Sequence, residues 1–97
     1  MAVDVLVGIL TVELWMRQNT SLKDRRRIVR SVLDRVRARH NVAVADLGPA
    51  DDWQRARLAF ACVGSQHYVL SKALEAVLQH VEAMGEAEVL DASIDLL

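Results

Sequence analysis

Lys23, Arg26, Arg27, Arg30 and Arg37 fall within one short stretch, spaced three, one, three and seven residues apart. At about 100° per helical residue they gather on one side of a helix. A row of guanidinium and ammonium groups is suited to phosphate, since the planar fork of arginine can bind two oxygens at once. The chemistry implied is electrostatic recognition of a nucleic-acid backbone, which weakens steeply with salt. Residues 21–40 carry Lys23, Arg25, Arg26, Arg27, Arg30, Arg35, Arg37 and Arg39 against only Asp24 and Asp34, a net charge of +6. Residues 71–97 carry Lys72 against six acids, so a near-neutral chain (formal net charge -1) is strongly polarised. The competing reading is a charged face that only keeps the helix solvated, paired with acids from elsewhere.

Other residues give weaker signals. His40, His67 and His80 fall in three separate segments without HxH or HExxH spacing, and Cys62 is the single cysteine. That pattern predicts no metal site, no cofactor and no internal disulfide. Cys62 reads as a small buried hydrophobe. Asp51 and Asp52 sit in a turn and read as turn residues. With no nucleophile elbow, Walker loop or GxGxxG, no catalytic residue is expected, and the chain is read as non-enzymatic. Arg25 falls within the apolar stripe by angle; its stem can lie on apolar surface while its head reaches solvent or a carboxylate.

The elements that position these residues follow from periodicity. With 53% hydrophobic and 26% charged residues over 97 positions, the chain reads as one folded domain, residues 1–97. Its start lacks a basic n-region and no apolar run is long enough to span a bilayer, so a soluble, cytoplasmic protein is expected. Residues 3–15 alternate and are rich in β-branched residues, predicting a first strand with Leu6, Leu10, Val12 and Leu14 on one face and Val3, Val5, Val7 and Ile9 on the other. Gly8 marks a bulge or a close backbone approach. Ser21 followed by Asp24 is a capping pattern, so a helix is expected from there to about Arg39, with Leu22, Ile28, Val29, Val32, Leu33 and Val36 apolar. Asn41 is expected to leave it in a left-handed turn. A short second strand over 42–47, a turn at Gly48-Pro49, and a third strand over 53–63 read as a hairpin. Ser65 is expected to cap a second helix bearing Leu70, Leu74, Val77, Leu78, Val81 and Met84, closed by Gly85. Residues 86–97 alternate as a fourth strand with Leu90, Ala92, Ile94 and Leu96 inward.

The order β-α-β-β-α-β predicts an α+β ferredoxin-like sandwich: a four-stranded antiparallel sheet with two helices on one face. The first and third strands are apolar on both faces, so the open sheet face is expected to meet a second copy or another protein. RNA-recognition domains of this topology stack bases on aromatics of the central strands, and residues 57–63 lack such aromatics. RNA is therefore expected on the helix. Residues 16–20 do not supply the glycine-rich loop of acylphosphatase-type catalysis. Trp53, Gln54 and Arg55 read as a sheet-edge closure rather than a ligand contact.

Ser21-Leu22-Lys23-Asp24-Arg25-Arg26, the arginine-rich stretch to Arg39, Asn41-Val42-Ala43-Val44-Ala45-Asp46 and Trp53-Gln54-Arg55-Ala56 together resemble the YlxP-like family of small bacterial proteins. The family more often has Glu at the position of Asp46 and Phe at that of His40. The resemblance covers almost the whole chain. It implies a ferredoxin-like domain of the bacterial cytoplasm without an established activity. Family genes often lie among those for translation initiation and ribosome maturation, which implies an RNA or ribosomal-particle partner. The expectation is an RNA- or ribosome-associated accessory factor. The alternative is a dimeric regulatory module that binds a protein or a small anionic ligand.

Overall fold

The computed structural model describes residues 4–97. Its elements are β1 (Leu6–Trp15), α1 (Leu22–Arg39), β2 (Ala43–Asp46), β3 (Arg55–Gly64), α2 (His67–Met84) and β4 (Glu88–Leu96). The sheet order is β2-β3-β1-β4, every neighbouring pair antiparallel. This is the ferredoxin-like α+β arrangement. Both helices cover one face, α1 over β2 and β3, and α2 over β1, β3 and β4. Val3, placed in the first strand by its pattern, lies outside the described residues.

The core is the meeting of three periodicities. Leu10, Val12 and Leu14 of β1 and Ala56, Leu58 and Phe60 of β3 point to the helices and are buried. Ile28, Val29, Val32 and Val36 of α1 and Leu70, Leu74, Val77 and Val81 of α2 close on them. Met16 continues the inward face of β1 and is buried too, although it opens what the sequence suggests is a polar connection. With so few aromatics the core depends on aliphatic fit. Truncating a fully buried leucine such as Leu10 to alanine should destabilise by about 2–5 kcal/mol.

Gly8 is a close approach rather than a bulge: a β-carbon there would lie 2.9 Å from Leu74 Cδ1. The bulge lies across the ladder in β4. Glu13 pairs with Asp91 and Leu14 with Val89, so Leu90 is the extra residue. The slip turns Val89 against the core and leaves Leu90 41% exposed, which corrects the inward placement of Leu90.

Three cap and boundary expectations also change. The N-cap of α2 is Gln66, not Ser65, and it makes no side-chain capping bond. Asn41 takes no left-handed turn; α1 ends on His40 in an extended conformation, whose N–H donates to the Val36 carbonyl at 2.9 Å. Gly85 does close α2 in the left-handed region, at φ 71°. Trp53 precedes β3 instead of lying in it, and is 46% exposed.

Candidate nucleic-acid interface

Capping and burial fix the rotation of α1. The Ser21 hydroxyl accepts from the Asp24 N–H at 3.1 Å, while the Asp24 carboxylate accepts from the Thr20 N–H at 3.0 Å and the Thr20 hydroxyl at 3.3 Å. The Thr20 amide bond is the main reason Asp24 sits below the usual carboxylate range. With the apolar side of α1 against the sheet, Lys23, Arg26, Arg27, Arg30 and Arg37 are all exposed.

The structure divides these five cations. Arg37 donates to Asp34 at 2.7 Å, one turn back on the same helix. Lys23, Arg26, Arg27 and Arg30 have no carboxylate within ion-pair distance among the described residues. Asp24 is occupied at the cap, Asp34 by Arg37, and Glu86 by Arg35 at 2.7 Å and the Ser31 hydroxyl at 3.0 Å. The four free cations occupy Lys23 to Arg30, about 10 Å of helix axis. Arg26, Arg30 and Arg37 also line a shallow groove of about 360 Å³ between α1 and β2, floored by Leu33 and Val44.

Arg25 belongs to the scaffold. Its stem is buried, its Nε donates to the Arg55 carbonyl at 2.9 Å, and its two terminal nitrogens meet Asp46.

Sequence spacing did not reveal two further clusters. His40 at the end of α1 and His80 on α2 meet with Nε2 and Nδ1 3.2 Å apart, and Arg39 Nη1 lies 3.3 Å from His80 Nε2. Among the described residues no set of three or more His, Cys, Asp or Glu is arranged to hold a metal ion. The second cluster is at the far end of β1. The Arg17 guanidinium lies 4.4 Å from the centroid of Trp15, and that of Arg55 lies 5.7 Å away. Trp15 is on the open sheet face by the alternation of β1, so the central strands do carry one aromatic there, on β1 and not on β3.

The rest of the open face has two halves. Val7 and Ile9 of β1 pair with Val63 and Ala61 of β3, and Val63 is 70% exposed. Farther along, Glu13 accepts from Arg57 at 2.7 Å. Cys62 points toward the core side, where burial pushes its thiol pKa up and keeps it protonated.

A small α+β domain with a cationic helix on one layer and an open sheet on the other is the class that these features define. The chain belongs to the family described as "Protein of unknown function (DUF503)", whose model matches residues 7–94. It is 30% identical over 83 residues to the uncharacterized protein YlxP of Bacillus subtilis (strain 168), covering 86% of this chain and 90% of YlxP. Two solved structures share the fold. One is the de novo designed protein Foldit4, at TM-score 0.56 and 11% identity, with 97% of each chain covered. The other is a C-terminal segment of the alpha subunit of aIF2 from Pyrococcus abyssi, at TM-score 0.50 and 14% identity, covering 99% of this chain and 51% of that one. No helix of the described residues is long and apolar enough to cross a membrane.

Proposed function

We propose that this chain is a non-enzymatic cytoplasmic accessory factor that binds RNA, on its own or within a ribosomal particle, through the exposed face of α1. The observation that carries this reading is the set of four cations, Lys23, Arg26, Arg27 and Arg30, none with a carboxylate within ion-pair distance among the described residues, although the charge of Arg27 is felt by Asp24. Cations that no carboxylate contacts keep their donors available to phosphate oxygens, which supports this reading. Arg37, already held by Asp34, contributes less. The gene neighbourhood implied by the family resemblance points the same way.

Co-sedimentation with ribosomal particles and RNA at low and moderate salt tests this. Four phosphate contacts on a single strand give a slope of log affinity against log salt near about −3, or roughly 50-fold weaker binding between 50 and 200 mM. The triple variant Lys23→Glu, Arg27→Glu, Arg30→Glu should abolish association. Unchanged affinity in that variant would remove α1 from the site.

A second reading concerns assembly. Val5 and Val63 are 67% and 70% exposed beside Val7, Ile9, Ala59 and Ala61 on the central strands, an apolar patch that suits a second copy of the chain. In this reading the protein is a homodimer through the open sheet face. Sedimentation equilibrium should give a dimer for the native chain and a monomer for Val63→Glu. A native monomer at high concentration would exclude the dimer.

A further inference from the structure

We propose that the cleft at the β1–α1 end of the domain binds one unstacked nucleobase of a single RNA strand, with Trp15 as the stacking surface and Arg17 and Arg27 on the flanking phosphates. This rests on the RNA reading of α1 and adds to it the form of RNA recognised.

The cleft is about 570 Å³, within the range of small-ligand sites, and is bordered by Trp15, Arg17, Asn19, Arg27, Glu86 and Glu88. The lining combines an aromatic residue with two arginines, the set that single-strand binders use: a π-face for the base and guanidinium groups for backbone or stacking. Trp15 already holds the planar Arg17 guanidinium 4.4 Å from its ring centroid, so its face accepts a flat partner. Arg17 is easily released. Its ion pair with Glu88 is long, 3.4 Å, and its side chain is 68% exposed.

The lining also carries three carboxylates. Only Glu86 is paired independently of the ligand, Asp24 keeps its charge at the helix cap, and Glu88 loses its counter-charge when Arg17 turns away, so the phosphates belong at the rim beside Arg17 and Arg27. Asp24 is bound by Thr20, and Glu86 by Arg35 and Ser31. Arg27 is the cation of the cleft without an ion-pair partner among the described residues, and it also belongs to the basic face of α1. A strand lying on Lys23, Arg27 and Arg30 therefore reaches the cleft without a gap. Trp15 is eight residues along β1 from Val7, about 26 Å, so the cleft stays open when the apolar half of the sheet is covered.

The chain has two tryptophans, so Trp53→Phe leaves Trp15 as the only one. In that protein a single-stranded RNA oligomer should quench the Trp15 fluorescence. In the otherwise native chain, Trp15→Ala should weaken single-strand affinity roughly 5- to 150-fold, the range for loss of one base–aromatic stack. Its affinity for a blunt RNA duplex should change less than about twofold, since the helix contacts remain. Trp15→Phe, which keeps a ring, should recover most of the loss, and circular dichroism with thermal melting confirms that each variant is folded. Unaltered single-strand affinity in Trp15→Ala, with binding still abolished by the α1 triple variant, overturns the cleft and leaves the helix reading standing. Quenching by free mononucleotides, equal for the oligomer and without an affinity advantage for the strand, overturns recognition of a strand. Absence of RNA binding by the native protein at low salt overturns both readings.

Discussion

The guanidinium of Arg25 holds the Asp46 carboxylate by both oxygens, Nη1 to Oδ2 at 2.8 Å and Nη2 to Oδ1 at 3.0 Å. This two-pronged pair ties α1 to β2, and Nε extends it to β3 through the Arg55 carbonyl. Asp46 also accepts from the Gly48 N–H at 2.9 Å, so one carboxylate secures both the helix and the turn after β2. The basic helix is thus placed by one of its own arginines.

Arg25→Ala should destabilise the fold by about 2–3 kcal/mol in a denaturant titration, less than the roughly 3–5 kcal/mol for breaking a fully buried pair because the Asp46 side chain is 33% exposed. Arg25→Lys should recover only part, since one ammonium cannot serve both carboxylate oxygens and the Arg55 carbonyl. RNA affinity at matched folded fraction should not change, which separates Arg25 from the free cations. The Arg25 hydrogen bonds lead the causes that hold the Asp46 pKa below its ordinary value, against an opposing push from burial. A depressed acid stabilises above its unfolded pKa and loses that contribution as pH falls through the folded value. Acid below about pH 4 should therefore cancel much of the difference between Arg25→Ala and the native chain. A difference that persisted there would trace the loss to packing of the Arg25 stem.

Most of the scaffold was legible because the period-2 and period-3.6 patterns are strong and agree with each other. The stripes of β1, α1, β3 and α2 all end in one core, and Arg25 falls in the apolar stripe with its head expected at solvent or a carboxylate, of which the structure shows the carboxylate of Asp46. What was hidden depends on register and on side chains distant in sequence. Leu90 fits an unbroken alternation, and only its pairing across Glu13 and Leu14 exposes the bulge. Ser65 is a better capping residue than Gln66 by type, yet the chain turns one residue later. His40 and His80 are forty residues apart, and no local spacing could join them. Arg37 looks equivalent to Arg30 on a helical projection, and Asp34 distinguishes them only through its rotamer. Trp15 ends an apolar run in the sequence, and only the sheet order makes that strand central, with the ring on the open face.

Gly8→Ala tests how closely α2 lies on β1. The added β-carbon would come 2.9 Å from Leu74 Cδ1, 3.3 Å from Leu70 Cβ and 3.3 Å from Leu96 Cδ2. Leu74 is fully buried, so its methyl must shift within a packed core to make room. Overpacking of this kind costs about 1–3 kcal/mol. For a domain of this size each kcal/mol lowers Tm by about 4–8 °C. Calorimetry should register that fall, while a Tm equal to that of the native protein would mean that the helix sits farther from the strand.

The histidine pair sets a protonation order. Arg39 can only donate, so His80 Nε2 must accept across their 3.3 Å contact. His80 is then neutral with its proton on Nδ1, which donates to His40 Nε2 at 3.2 Å. Desolvation, then the charge of Arg39, then His40 and Arg35, all push the His80 pKa below the ordinary histidine value. Glu86 does not counter them directly, being bonded to Arg35 and Ser31. For a base, a depressed folded pKa means that the unfolded chain binds the proton first. Stability should accordingly fall as pH drops below about 6.5, with the full penalty reached beneath the folded value. NMR titration should find His80 losing its proton below the ordinary histidine value, and Arg39→Gln should move it upward. Denaturation at pH 7.5 and 5.5 should show a loss in the native chain that His80→Gln lacks. A His80 that titrated at or above the ordinary histidine value would mean that the Arg39–His80–His40 chain does not form in solution.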